Sequence, residues 1–465
     1  MSAASITAIS PAATSPAMNP RTSRLLNGPI VPIMLAMAWP NVLVMLAQAS
    51  TGLIETWFVS RLGLDALTGM ALVFPGFMMM QMLSAGAMGG GISSAIARAL
   101  GGGRKEDANT LVWHAVIINL VLGAVFSALV LTFGRSLYQA LGGHGASVES
   151  ALRYSNIVFI AVPLVWLMNA LASVVRGTGN MAVPALAVCL GVVLLIPLSP
   201  TLIFGLGPIP AMGVTGAGLA VLFTSGVSTV VLGWYVLSGM SIVRPGAFRP
   251  RARMFMDILR VGAVASVSTL QTSLTVALLT ALVGAAAGPD AVAGYGTGAR
   301  LEFLLIPLVF GFGAPLVTLV GTNIGAGQRD RALRVALTGG AIAFGLCETI
   351  GLAAAIWPEA WLGLFGHDPN MLATGTVYLH YAGPAYGFFG LGLALYFASQ
   401  GAGRLAWPLF AGFLRMGIAI GGGWAAWYAT RDLRVVFATL GLALVVYGSV
   451  LIAAIKTGVW FRRIV

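Results

Sequence analysis

Charged residues are scarce in this 465-residue chain: Asp and Glu number 13, Lys and Arg number 25, and the four types together make up 8% of the sequence. An ordinary soluble domain has roughly 25% charged residues. Hydrophobic residues instead make up 58% of this chain. The composition excludes an ordinary soluble protein and predicts a protein that crosses a membrane many times.

Residues that commonly carry enzyme chemistry are also scarce. The chain has two cysteines, Cys189 and Cys347, and both fall in predicted spans, where packing explains them better than a disulfide or a metal site. It has no HExxH, Walker or CxxC motif, and its glycine-rich runs lack the Lys and the Ser or Thr of a phosphate loop. We therefore expect no enzymatic activity, no cofactor and no metal site.

Apolar stretches long enough to cross a bilayer, which takes about 20 residues, alternate with short polar segments. We predict spans at residues 30–59, 64–96, 107–133, 148–175, 179–206, 211–238, 253–286, 290–324, 332–357, 371–400, 404–428 and 433–460. Several spans contain proline, which removes a backbone donor and favours a kink. Membrane helices also tolerate proline without any functional role.

The basic residues fall mainly on one side of the membrane in this topology. Short cytoplasmic loops collect Lys and Arg, so we predict a multi-pass protein of the plasma (inner) membrane with both termini in the cytoplasm. Orientation and contacts with anionic membrane lipids then explain the net charge of +12 without nucleic acid. Residues 1–29, rich in Ser, Ala, Thr and Pro, are predicted to be a disordered cytoplasmic tail.

An internal repeat organises the rest of the chain. At an offset of 224 residues, Gly101 recurs as Gly325, Tyr154 as Tyr378, Gly177 as Gly401 and Pro184 as Pro408. The predicted fold is therefore an all-α polytopic membrane protein with twelve transmembrane helices in two six-helix pseudo-symmetric lobes. We place the N-terminal lobe at 30–240, a cytoplasmic linker at 241–252 and the C-terminal lobe at 253–465. Parallel repeats of this kind are typical of transporters that bind substrate between the halves.

Three carboxylates fall inside spans, where a charge is costly and is usually kept for function. Removal from water favours the neutral form of a carboxyl group, so Glu55 is a candidate for taking up and releasing a proton. The alternative is a fixed hydrogen bond to Gln48 or Thr51 on the same helix face. Glu302 is a candidate for binding a cationic substrate or a second proton, or for a structural ion pair with Arg415 or Arg300.

Two further titratable groups are less central. Glu348 is expected to snorkel or to cap a neighbouring group, and it is left out of the primary site. His380 is a candidate additional proton carrier, although a lone histidine is more often a hydrogen-bonding group whose bonds are satisfied. The candidate ion-coupling residues are therefore Glu55, Glu302 and His380.

Several segments resemble one known family of transporters, multidrug and toxic compound extrusion (MATE). They are Pro40 to Val59 running into Arg61-Leu62-Gly63-Leu64-Asp65-Ala66-Leu67, Ser94-Ala95-Ile96-Ala97-Arg98 with Gly101 to Gly103, Arg176-Gly177-Thr178-Gly179-Asn180, and Gly321-Thr322-Asn323-Ile324-Gly325-Ala326-Gly327. The resemblance covers essentially the whole chain after residue 29. It implies an antiporter, driven by proton or sodium, that expels small organic and often cationic compounds through a cavity between two six-helix lobes.

The resemblance also bears on single residues. In the DinF-like branch, which the chain resembles more closely than the NorM-like branch, the first helix carries an aspartate where this chain has Glu55. The family's fifth-helix aspartate, which precedes a proline, is matched by Ser199 before Pro200, so a second titratable group is missing from that lobe. The NorM-like branch carries C-lobe acids on helices seven and ten, and the matching spans here offer no carboxylate apart from Asp257 at the start of helix seven. This departure argues against a sodium site copied from that branch.

Polar, aromatic and methionine side chains in the spans are candidates for the substrate cavity, because soft and aromatic walls suit flat cations. The candidate substrate-binding residues are Gln48, Thr51, Met78, Ser199, Gln271, Tyr381 and Tyr386. Simple packing is the alternative role for the methionine and the aromatic residues. We expect a monomer, and three alternatives stay open: a sodium-coupled exporter, a flippase for lipid-linked precursors, and a binding or assembly protein that transports nothing.

Overall fold

A computed structural model of the chain describes residues 19–458 and residue 460. This part of the chain is almost entirely helical, and its only strand-like pairing is one isolated bridge between Leu206 and Ile209. The helices are α1 Pro20–Asn27, α2 Ile30–Ser60, α3 Leu64–Gln81, α4 Gly89–Gly101, α5 Lys105–Ala140, α6 Ala146–Gly177, α7 Ala182–Phe204, α8 Val214–Leu237, α9 Ala252–Gly325, α10 Arg329–Ile356, α11 Pro358–Leu362, α12 Pro369–Ala382, α13 Tyr386–Ala402, α14 Ala406–Gly417, α15 Gly423–Thr430 and α16 Leu433–Lys456.

These elements make the twelve predicted spans. Short irregular turns join α3 to α4 (π-helical, Met82–Met88), α12 to α13 (3₁₀, Gly383–Ala385) and α14 to α15 (π-helical, Ile418–Gly422), so each pair forms one span. Helix α9 holds two spans, because its chain turns at Gly288, where φ is 83°. Glycine adopts that backbone conformation without strain.

Two hydrophobic cores correspond to the two lobes. The N-lobe core is built on residues such as Val59, Phe159 and Trp166, and the C-lobe core on residues such as Tyr378 and Phe437. The predicted fold, two six-helix lobes with twelve transmembrane helices, is confirmed. The lobe and linker boundaries, in contrast, stay predictions.

Helix α2 contributes to both cores. Met34 and Met37, near its start, lie in the C-lobe core, whereas Val59, near its end, lies in the N-lobe core. Pro40 lies between these two parts, and the side-chain amide of the next residue, Asn41, donates to the carbonyl of Met37 at 3.3 Å. The helix therefore links the lobes mechanically, with a proline at the crossing point.

The lobes are joined on one side of the membrane, the side at which α2 begins and α4, α6 and α13 end, which we call the basic side. The hydroxyl of Ser94 lies 2.6 Å from the carbonyl oxygen of Gln400, and Arg98 donates to the carbonyl of Gly401 at 3.1 Å. On the same side, Thr318 donates to the carbonyl of Arg176 at 3.0 Å. Each of these bonds runs from one lobe to the other, so this conformation is closed on the basic side.

The N-terminal segment differs in part from expectation. Of the predicted disordered tail 1–29, residues 1–18 lie outside the described part of the chain, but Pro20–Asn27 form helix α1. Asn19 caps this helix through its side chain, which accepts from the backbone N–H of Arg21 at 3.0 Å. The helix buries Leu25 and Leu26 against the rest of the protein, and this packing explains why so short a segment is ordered.

Candidate functional site

Glu55 lies in the part of α2 that packs in the N lobe, and only 6% of the residue is exposed. Its Oε1 atom is buried and has no hydrogen-bond partner within the described part of the chain. Thr51 uses its hydroxyl to bond the carbonyl of Ala47 at 2.9 Å, and Gln48 is exposed. Neither residue therefore holds the Glu55 carboxyl in a hydrogen bond. Such a fixed hydrogen bond was the alternative to a functional role for Glu55.

Two other polar groups surround this part of the N lobe. Tyr154 of α6 is buried and lies within electrostatic range of Glu55. Ser199 lies on α7, which packs against α2, and its buried hydroxyl has no partner among the described residues. An ionised carboxylate without a bonded donor is costly in such a place. Binding of a proton or of another small cation at Glu55 therefore changes the energy of this lobe.

The C lobe holds Glu302 in a different way. The Arg415 guanidinium approaches Oε1 of Glu302 at 3.4 Å, and the Tyr378 hydroxyl donates to Oε2 at 3.2 Å. The Tyr386 hydroxyl in turn donates to that of Tyr378 at 3.2 Å. Arg415 also lies over the ring of Phe389, 5.2 Å from its centroid. The structural ion pair with Arg415 is therefore formed, whereas Arg300 lies over Phe365 instead.

The remaining predicted residues have varied settings. Gln271 donates to the Thr275 hydroxyl at 2.9 Å and to the Gly412 carbonyl at 3.1 Å, so its amide hydrogens are engaged inside the C lobe. Tyr381 and Met78 are exposed by 43% and 39%, respectively. His380 is also exposed, and its Nδ1 lies 3.0 Å from the carbonyl of Thr376.

Glu348 has the capping role that was expected of it. Its Oε2 accepts a hydrogen bond of 2.8 Å from the backbone N–H of Gly387. Gly387 follows the 3₁₀ turn that joins α12 to α13, where backbone donors are left over from the helix. This carboxylate therefore fastens α10 to the bend in the neighbouring span.

Sequence reasoning gave no site role to several polar residues. Tyr378 bonds Glu302, and Asn169 donates to Gln81 at 3.2 Å and to Ser84 at 3.1 Å beside the π-helical turn. One signal was available: Tyr154 and Tyr378 are repeat mates, and each lies near the intramembrane acid of its own lobe. The Asn169 contacts could not be foreseen, because they depend on the local register of the π-helical turn.

The described residues contain no group of three or more His, Cys, Asp or Glu side chains that could hold a metal ion. Instead, two lobes meet on one side of the membrane, a helix runs between them, and each lobe carries an intramembrane acid in a distinct setting. This architecture defines a polytopic membrane transporter with two pseudo-symmetric lobes.

The chain belongs to the MATE family: the MatE family model matches residues 40–201 and 264–424. The two matched segments begin 224 residues apart, in agreement with the internal repeat. Relatives in this family include multidrug resistance and multidrug export proteins, which are membrane transporters of small molecules.

Known relatives cover most of the chain. It is 28% identical to the FAD transporter of Shewanella oneidensis over 81% of this chain and 82% of the relative. It is 25% identical to the probable multidrug resistance protein NorM of Thermotoga maritima over 85% of this chain and 83% of the relative. A crystal structure of MATE in the bent conformation superposes with a TM-score of 0.87 at 25% identity, covering 95% of this chain and 98% of that chain.

Proposed function

We propose that this transporter is a proton-coupled antiporter that exports amphipathic organic compounds, preferably cations, across the inner membrane. The observation that carries the proposal is Glu55, a buried carboxyl with an unpaired oxygen, on a helix whose two ends pack in different lobes. The basic side is the cytoplasmic side in this proposal, and the transporter works as a monomer.

Proton binding and lobe movement are connected through α2. When Glu55 is ionised, its unpaired oxygen favours a rearrangement that brings a donor or water to it. When a proton enters from the side opposite the basic side, the carboxyl becomes neutral and the helix can settle into the N lobe. The first part of α2 packs in the C lobe. A movement of α2 at Glu55 can therefore be transmitted along the helix to the contacts that close the basic side.

The proposed preference for cationic substrates rests on which of the two intramembrane acids is left without a cation. Arg415 already compensates the charge of Glu302, so this acid is better suited to holding α14 against α9 than to binding a cation. Exposed Tyr381 and Met78 offer an aromatic face and a soft apolar surface for an organic cation. Glu55 is then the carboxylate for which proton and cationic substrate compete.

Alternative functions make different demands on the site. A flippase for lipid-linked pyrophosphates needs several free cations in the cavity, but Arg415 is paired and Arg300 lies over an aromatic ring. Sodium coupling would use the same Glu55 carboxyl.

Export of a flavin nucleotide is a second candidate function. The chain resembles the Shewanella oneidensis FAD transporter, and Arg176 lines a small cavity between the lobes.

Efflux from proteoliposomes tests the proposal. A fluorescent organic cation is loaded, a pH gradient or a sodium gradient is imposed, and wild type is compared with Glu55→Gln. We expect the pH gradient alone to drive efflux in wild type and the variant to lose it, because an amide cannot bind and release a proton. FAD in the same vesicles tests the second candidate.

Glu348→Gln is the matched control, since it makes the same chemical change at another intramembrane acid and keeps an acceptor for Gly387. This control should transport like wild type. Efflux that survives in Glu55→Gln would refute the assignment of the coupling group, and efflux driven only by sodium would replace the proton in the proposal.

A further inference from the structure

Helix α1 lies at the seam between the lobes on the basic side. One face of this helix is buried, with Thr22, Leu25 and Leu26 each exposed by 4% or less, while Arg21 and Arg24 are exposed on the other face. A helix of eight residues is not stable in isolation. Its order therefore depends on the surfaces that it contacts.

The C lobe holds the C-terminal end of α1. Arg331, on α10, donates to the carbonyl of Leu25 at 3.4 Å and also to the carbonyl of Gly28. Asn323, near the end of α9, lies with its amide 3.5 Å from the same Leu25 carbonyl. A guanidinium at a helix C-terminus satisfies carbonyls that lack a helical partner and interacts favourably with the helix dipole.

The N lobe contacts the same helix from the other side. Gly179, in the turn between α6 and α7, lies so close to Leu25 that a Cβ atom added to it would be 2.8 Å from Leu25 Cδ1. Met181, which follows in the same turn, shares a hydrophobic cluster with Leu25. Leu25 is therefore packed between a turn of the N lobe and two helix ends of the C lobe.

The contacts of α1 with the two lobes exist together only while the basic side is closed, because they involve residues of both lobes. Opening that side separates Gly179 and Met181 from Arg331 and Asn323, so α1 must leave one of the two surfaces. We propose that α1 is a latch that stabilises the conformation closed on the basic side and that it is released when this side opens. The inference rests on transport by alternating exposure, but not on Glu55 as the coupling group.

Thiol labelling measures the latch directly. Ser93 is 6% exposed, lines the cavity between the lobes, and uses its hydroxyl within the N lobe, bonding the carbonyl of Ser173. A Ser93→Cys reporter is placed in a Cys189→Ala background, and the fully buried Cys347 is kept. The rate of reaction with a water-soluble maleimide then reports opening of the seam, with no substrate or gradient present.

Arg331→Gln should raise the labelling rate about tenfold, which corresponds to about 1.4 kcal/mol less stabilisation of the closed conformation. Arg334→Gln is the matched control, since Arg334 is an exposed arginine one turn further along the same helix, and it should leave the rate unchanged. Leu25→Asn removes the docked side chain without touching α10 and should also raise the rate.

The outcomes separate the latch from other roles. Equal rates in Arg331→Gln and Arg334→Gln would overturn the proposal. A faster rate in Arg331→Gln combined with a wild-type rate in Leu25→Asn would assign the effect to α10 itself and would also overturn it. Because labelling requires no transport, a failure of proton-driven efflux leaves this measurement unaffected.

Discussion

Replacing Arg415 by Met removes the cation that pairs with Glu302 and keeps an unbranched side chain between the rings of Phe389 and Tyr447. At a separation of 3.4 Å and an effective dielectric constant of about 20, the attraction between two unit charges is about 5 kcal/mol. The side chains are 12% and 21% exposed, so solvent screens part of this attraction. We expect the single variant to lose about 2 to 3 kcal/mol of unfolding free energy, because it leaves a carboxylate unpaired.

The double variant Glu302→Gln/Arg415→Met decides between a structural and a transport role. If the pair is structural, removing both charges recovers much of the stability that the single variant loses, since neither charge is left alone. The midpoint of thermal unfolding in detergent should therefore rank wild type first, the double variant second and Arg415→Met last. The double variant should also retain proton-driven efflux. A double variant that is as unstable as Arg415→Met, or one that is folded but inactive, would refute the structural assignment.

Three further predictions concern the seam, the kink and the C-lobe network. Gly101→Val places a side chain against the Thr322 backbone and should prevent closure of the basic side, which is measurable as faster labelling of a Ser93→Cys reporter. Pro40→Ala restores a backbone donor at the crossing point of α2 and should slow efflux without lowering the thermal midpoint. Tyr378→Phe removes the donor to Glu302 and should cost about 1 to 2 kcal/mol of unfolding free energy, while wild-type stability would show that this bond contributes nothing.

The spans could be predicted because each needs about 20 apolar residues in a row, and this pattern survives every local irregularity of the helices. The π-helical turn at Met82–Met88 and the turn at Gly288 change the path of the chain without shifting a span boundary by more than a few residues. Helix α1 was missed for the opposite reason. Eight residues carry no span-length signal, and the helix is stabilised by contacts with Asn323 and Arg331, about 300 residues away in the sequence.

The site was predictable to the extent that charge is rare in a membrane. Scarcity alone pointed to Glu55, Glu302 and Glu348. It did not reveal which carboxyl has a partner, because Arg415 is 113 residues from Glu302 and their contact depends on the packing of α14 against α9. Nor did it show that the amide of Gln271, a substrate-binding candidate, is taken up by Thr275 and Gly412.

The internal repeat shows why the intramembrane acids of the two lobes have different neighbours. The tyrosines Tyr154 and Tyr378 are repeat mates, but the mate of Glu55 is Leu279 and the mate of Glu302 is Met78. Arg415 likewise corresponds to Gly191, so the N lobe has no arginine where the C lobe pairs its acid. Glu302 has the guanidinium of Arg415 beside it, whereas Glu55 forms no ion pair within the described part of the chain. In the proposed mechanism, this asymmetry places ion binding in the N lobe and a structural ion pair in the C lobe.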